Sequence, residues 1–265
     1  TMNAIRLRKF ISSIFLILLI SSPISLSYQQ PTLADTKEVN VANRYNSSDR
    51  YLPEALSWTL ETSPNYYKVL GESGIVENLF PPKGQIVYGG LDSLGRTLTV
   101  RGTLTFNNVL GSYNIRKDFK RSKAETLSGW LGNKNGEVYV IKGLGDDSYQ
   151  GYFWNKSHLI ADSLGGDALR VNAITGTRTQ NVGGRSGNGG MRYTEIKSQK
   201  WLEAHRDGYL YYEAMPIYQG NELVPRAVVV SVLSSDNTIN EKVIVYNVAN
   251  GYTIDYNQGT FSANQ

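Results

Sequence analysis

Two histidines, His158 and His205, are the only imidazoles in the 265 residues, and there is no cysteine. Thiolate nucleophiles, disulfides and cysteine-built zinc sites are therefore excluded, and a multi-histidine metal centre is nearly so. Imidazole acid–base chemistry has to come from one of two positions. His158 comes directly after a predicted strand, where the end of a rigid element can hold a side chain in a cleft. From Tyr152 to Glu195 the groups that chemistry uses are concentrated: Asn155, Lys156, His158, Asn172, Arg178, Asn181, Arg185, Arg192 and Glu195. His205 has no such neighbourhood and reads as structural or exposed.

Two common constellations are absent. The run Asn181-Val-Gly-Gly-Arg-Ser-Gly-Asn-Gly-Gly190 holds five glycines, but it lacks the G-x-x-x-x-G-K-[ST] pattern of a phosphate loop and follows no long apolar strand. It reads as a flexible surface loop, since glycine gives that freedom. There is no Gly-x-Ser-x-Gly, and Ser157 next to His158 on a strand would point to the opposite face, which argues against a serine triad.

The block Trp154-Asn-Lys-Ser-His158, with Asn181 23 residues downstream and Glu195 14 further on, resembles the DNA/RNA non-specific endonucleases with a ββα-metal finger. His158-Leu-Ile-Ala-Asp-Ser-Leu-Gly-Gly-Asp167, Thr177-Arg-Thr-Gln-Asn181 and Gly190-Met-Arg-Tyr-Thr-Glu195 are similar to the secreted streptococcal DNases of that family, also called mitogenic factors or streptodornases. Leu91-Asp-Ser-Leu-Gly-Arg96, Ser128-Gly-Trp130 and Val224-Pro-Arg-Ala-Val228 extend the likeness through most of the chain. The resemblance implies that His158 is the general base and Asn181 the lone protein ligand to Mg²⁺, with Mn²⁺ or Ca²⁺ as candidate replacements. It makes Glu195 the carboxylate that orients the metal's waters, and Asn172 a supporting member of the catalytic set. The family commonly has Asp-Arg-Gly-His where this chain has Asn155-Lys156-Ser157-His158. Lys156 can bring positive charge to a phosphate but not arginine's planar two-pronged hydrogen bonding.

Elementary chemistry agrees with those roles. A phosphodiester is an anion that repels hydroxide, so hydrolysis needs a base to activate water and positive charge to stabilise the transition state and leaving oxygen. A free imidazole titrates near pH ~6.5, so activity is expected to fall as His158 is protonated. Mg²⁺ prefers oxygen ligands and keeps several waters, so one amide oxygen plus phosphate oxygens can suffice. Arg178, Arg185 and Arg192 bracket the metal position and are candidates for flanking phosphates, or equally for solvent-facing charge. The implied products carry 5′-phosphate and 3′-hydroxyl ends, with little base readout and binding that weakens as salt rises.

An α+β fold is expected to position these groups: a central antiparallel sheet flanked by helices and loops, with the ββα-metal finger between Tyr152 and Glu195. Ser48 and Asp49 offer caps for an amphipathic helix ending near Ser63-Pro64. Gln85–Tyr88, Arg96–Phe106, Glu137–Ile141 and Ser148–Trp154 read as strands, as do Gly208–Ile217, Arg226–Leu233, Glu241–Asn247 and Tyr252–Tyr256. A helix near 191–206 carries Glu195, with Tyr193, Ile196, Trp201 and Ala204 as its inner positions; an exposed helix-start acid is the plain alternative for Glu195. Asn107 to Asn135 reads as loops, where Arg116, Lys117, Lys120, Arg121 and Lys123 form either a solvated surface or a patch facing a phosphate backbone.

Arg6, Arg8 and Lys9 precede the apolar stretch Phe10–Ile20, and Thr32-Leu-Ala34 has small residues at its outer positions. That is the pattern of a secretory signal peptide over 1–34. The apolar run is shorter than the roughly 20 residues of a membrane span. A flexible lead over 35–48 and a nuclease domain over 49–265 would follow. The formal charge of +4 shrinks once the leader is removed, to 24 basic against 23 acidic residues, so bulk charge says little about partners. The expected protein is secreted, without stable membrane association, monomeric, and acts on DNA or also RNA. The rival reading is a non-catalytic secreted mitogen or host-interaction protein on the same fold.

Overall fold

The computed structural model describes residues 48–115, 117, 119 and 126–265. The expected signal peptide, the lead up to residue 47, and Arg116, Lys120, Arg121 and Lys123 lie outside the described residues. A 3₁₀ turn (Ser48–Tyr51) leads into a one-turn helix α1 (Leu52–Ala55), then β1 (Tyr67–Gly71), β2 (Ile86–Tyr88), β3 (Val100–Thr105) and α2 (Phe106–Asn114). Two hairpins follow, β4 (Tyr139–Lys142) with β5 (Ser148–Gly151), and β6 (Trp154–His158) with β7 (Ala173–Thr177). Next come α3 (Arg178–Val182), α4 (Met191–Ala204), β8 (Tyr209–Ile217), β9 (Ala227–Ser234), β10 (Asn240–Tyr246), β11 (Tyr252–Asp255) and β12 (Thr260–Ala263).

Six of these strands form the main sheet in the order β1-β10-β9-β8-β3-β2, with every neighbouring pair antiparallel. Its centre is β9, Ala-Val-Val-Val-Ser-Val-Leu-Ser, whose β-branched residues suit a pleated surface covered on both sides. Successive side chains alternate between faces. Val228, Val230 and Val232 join Leu210, Tyr212 and Val243 in the larger core, together with Met191, Trp201 and Leu202 of α4 and Leu159, Ile160 and Leu164 of the loop after β6. Ala227 and Val229 face the other way, against Met215, Ile217, Ile244 and Ala55. Each fully buried aliphatic side chain contributes about 2 kcal/mol, so this shared core fastens α4 and the β6–β7 finger to the sheet. The fold is the expected α+β arrangement with a large antiparallel sheet.

Several elements differ from expectation for local reasons. The helix expected over 48–63 stops after Ala55, because Ser57 Oγ donates to the Glu54 carbonyl and Thr62 Oγ1 to that of Thr59; such side-chain bonds compete with the helical ladder. The 107–135 stretch expected as loops begins with α2, where Asn108 Oδ1 accepts the Thr105 N–H and Val109 is buried. No described helix is long and apolar enough to cross a membrane.

Candidate active site

His158 is the last residue of β6, not the first beyond it, and pairs with Ala173 of β7; Asn155 pairs with Gly176. β7 runs straight into α3. Thr177 caps that helix by accepting the Gln180 N–H at 2.9 Å. The junction is clamped from the far end of the chain. Asn247 Oδ1 accepts the Thr177 N–H at 2.8 Å, its Nδ2 donates to the carbonyls of Thr175 and Pro225, and the Thr177 and Thr179 hydroxyls donate to the Val248 carbonyl. Asn181 therefore projects from a fixed single-turn helix.

The glycine-rich run after α3, expected as a surface loop, exposes Arg185, Ser186 and Asn188 and is hydrogen-bonded to the rest of the fold at two points. Gly190 N–H donates to the Asn65 carbonyl and Arg185 N–H to Asp147 Oδ1. Gly190 has φ 56°, and a Cβ there would strike the Thr179 and Gln180 carbonyls. Only glycine fits this hinge, and it aims α4 back at α3.

Glu195 then faces inward. The buried face of α4 is Met191, Thr194, Glu195, Ser198, Trp201 and Leu202, which replaces the expected inner set of Tyr193, Ile196, Trp201 and Ala204. The plain alternative of an exposed acid does not hold, since Glu195 is 4% exposed. Burial pushes its carboxyl up to about 7, opposed by Arg192, whose guanidinium lies 3.3 Å away.

A cleft of about 430 Å³ gathers Lys156 and His158 from β6, Asn181 from α3, and Arg192 and Glu195 from α4, and Lys117 and Phe119 also line it. The Phe119 ring lies 4.7 Å from the His158 ring, tilted by 42°. The Lys156 ammonium lies 5.8 Å from the Phe119 ring and 5.5 Å from that of Trp130. Lys117 spends its charge on Asp167, at 2.6 Å. Asn181 Nδ2 donates to Asn155 Oδ1 at 3.0 Å, and Ser157 Oγ donates to Asn181 Oδ1 at 3.2 Å.

The other expected residues lie elsewhere. Asn172 is fully buried and does not line the cleft. Its Oδ1 accepts the Ile160 N–H, and its Nδ2 donates to the carbonyls of Ile160 and Asp167. It thus holds the loop that leaves His158 instead of reaching a reactant. Arg178 lies 5.0 Å from the Tyr149 ring and Arg185 is exposed, both outside the lining. Sequence reasoning does not single out Phe119 or the hydrogen bonds that join Asn181 to Asn155 and Ser157; a lone aromatic among basic residues and two polar residues alternating on a strand are the available signals.

Among the described residues no three His, Cys, Asp or Glu side chains gather into a cage. The donors offered to a cation are the neutral amide oxygen of Asn181 and the nearby Glu195 carboxylate. This sparse oxygen set fits a hard divalent ion that keeps most of its waters.

The profile of the DNA/RNA non-specific endonuclease family matches residues 61–263. The chain belongs to that family. A deoxyribonuclease of Streptococcus dysgalactiae subsp. equisimilis is 36% identical to this endonuclease over 239 residues, which cover 74% of this chain and 72% of the relative. The solved structure of Sda1 nuclease, with a bound zinc ion, superposes with a TM-score of 0.72 at 35% identity, over 78% of this chain and 100% of that one. Magnesium-bound NucA from Streptococcus agalactiae shares the fold, with a TM-score of 0.52 at 21% identity over 75% and 90% of the two chains. The endonuclease is thus similar to streptococcal DNases, as its motifs led us to expect.

Proposed function

We propose that the protein is a secreted, Mg²⁺-dependent endonuclease that hydrolyses DNA through its phosphate backbone, with RNA as a candidate second substrate. The observation that carries this is the convergence of His158, Asn181 and Glu195, from three separate elements, on one cleft of a chain of this family. In this reading His158 takes a proton from the attacking water as the water oxygen bonds to phosphorus. The bond from phosphorus to the 3′ oxygen breaks and that oxygen takes up a proton from water, leaving a 5′-phosphate and a 3′-hydroxyl. A divalent ion, when bound, supplies positive charge to the phosphate and the departing oxygen. Asn181 would hold that ion through Oδ1, and Glu195 would orient its waters. Lys156 and Arg192 add positive charge along the cleft wall, and the ring of Phe119 limits how His158 can turn. The zinc in the Sda1 nuclease structure supports a divalent ion; the hard oxygen donors here favour magnesium.

Retention of all three groups in one cleft favours catalysis over a binding-only mitogen. The test is plasmid digestion with Mg²⁺ or EDTA, comparing wild type with His158→Ala. Wild type is expected to cut only with Mg²⁺, and the variant to lose cutting; undiminished cutting by the variant removes His158 from its role. Nicks that DNA ligase reseals without prior phosphorylation would match the stated ends. Digestion of RNA in parallel decides sugar preference. A supernatant protein beginning at Asp35 would match the leader.

A further inference from the structure

Asn181 makes both of its side-chain hydrogen bonds to one strand, to Asn155 through Nδ2 and from Ser157 through Oδ1. Asn155 and Ser157 are two apart on β6 and share one side of it, while Lys156 and His158 share the other. At both positions the chain departs from the family's Asp-Arg-Gly-His pattern. The oxygen and nitrogen of a carboxamide are nearly the same size, and only the oxygen can coordinate a cation. A ligand asparagine therefore needs neighbours that tell its two ends apart. We propose that Asn155 and Ser157 are positioning residues that keep the Asn181 oxygen turned to the ion site, Asn155 by accepting the N–H and Ser157 by donating to one lone pair of the oxygen. This depends on Asn181 being the ion's ligand.

The surroundings suit that task. Ser157 is fully buried, and a Cβ at Gly176 would collide with Ser157 Cβ and the Gln180 side chain. The glycine opposite Asn155 thus lets β7 and α3 pack tightly behind the pair. With Asn181 on a helix capped by Thr177, both ends of each hydrogen bond sit on rigid elements. One difference between Asn155 and an aspartate is useful: a carboxylate only accepts, whereas a carboxamide can also turn and donate. Asn155→Asp should therefore enforce the orientation that Asn155 favours, and Asn155→Leu should abolish it at similar volume.

The experiment is Mn²⁺ binding to the whole protein without nucleic acid, followed by the paramagnetic signal of free Mn²⁺, with melting temperature and metal-dependent kinetics alongside. Loss of a partner that orients a metal ligand typically costs 10–100-fold in affinity, so Asn155→Leu is expected to raise the Mn²⁺ Kd about tenfold. Ser157→Ala, losing one hydrogen bond of about 1 kcal/mol, is expected to raise it about fivefold. Asn155→Asp is expected to bind at least as tightly as wild type, and to do so at about 0.5 M salt, where a gain from added charge alone is screened. Excess Mn²⁺ should restore kcat to Asn155→Leu with an unchanged KM for DNA. Wild-type affinity in both Asn155→Leu and Ser157→Ala, with binding lost in Asn181→Ala, overturns the positioning role alone. Wild-type affinity in Asn181→Ala overturns the ligand assignment beneath it. If Asn155→Leu fails to fold, Ser157→Ala and Asn155→Asp still decide, because wild-type affinity in the first or weakened affinity at high salt in the second overturns the proposal.

Discussion

Replacing Glu195 by glutamine separates the burden this carboxylate places on the fold from its part in the reaction. Glu195 is enclosed in the wall of the cleft, and burial lifts its carboxyl from the 4.5 of a solvated glutamate to about 7. At about 1.4 kcal/mol per tenfold change in proton affinity, that difference amounts to about 3 kcal/mol. Between these two pH values the native protein keeps a proton that the unfolded chain releases. The stabilisation from that proton is complete below 4.5 and is lost as pH rises through about 7. Glutamine has nearly the same shape and does not titrate. The stability gap between Glu195→Gln and wild type should therefore widen by about 3 kcal/mol from pH 4.5 to pH 8.5, in favour of the variant. For a chain of this size that is about 6 to 12 °C in Tm. The assay is thermal unfolding by circular dichroism across that range, in EDTA so that no cation assists the carboxylate. A gap that stays constant with pH refutes the reasoning, and so does one that narrows. The variant should also cut DNA more slowly despite being more stable, the trade expected where a strained group serves function.

Other outcomes follow from the same geometry. Asn172→Ala strips three hydrogen bonds from the loop after His158 and should destabilise the protein by about 3 kcal/mol; a urea midpoint unchanged from wild type would contradict its supporting role. In a His158→Ala background, Lys156→Ala should reduce the slope of log affinity against log salt by about one, since the lysine lines the cleft. Arg185→Ala should leave that slope alone, and an equal effect from both would mean that the backbone path has been misplaced. Gly190→Ala should cost more than the about 1–3 kcal/mol of its left-handed backbone alone, since the added Cβ also meets the Thr179 and Gln180 carbonyls; the loss is read from the urea midpoint, and activity should fall as the angle between α3 and α4 is disturbed.

The parts of this molecule that could be read from sequence are those specified by a local pattern. β8, β9 and β10 were legible because β-branched residues such as Val228 to Val230 mark strands almost regardless of context. His158, Asn181 and Glu195 were legible because a spaced motif carries them. Helix α4 was visible, but not its inner face: Thr194, Glu195 and Ser198 are buried there, and polar residues turned inward defeat a reading based on apolar periodicity. β7, Ala-Ile-Thr-Gly-Thr, is entirely buried yet carries no alternating pattern that marks its bounds, because its partners are β6 in front and Asn247 behind, 70 residues from Thr177. The bonds of Asn155 and Ser157 to Asn181 have the same character. They exist only once separate elements meet, and no single stretch of chain records them.

The grip of Asn247 and Val248 on β7 and α3 also governs timing during synthesis. A polypeptide leaves the ribosome N-terminus first, so His158, Asn181 and Glu195 are made before the residues that seat their scaffold. A nascent chain that has just passed Glu195 holds all three, yet it lacks β8, β9, β10 and the carboxamide that secures Thr177. The clamp on β7 and α3 can close only after residues 247 and 248 have been made, so the fold that brings the three groups together is assembled from its C-terminal side.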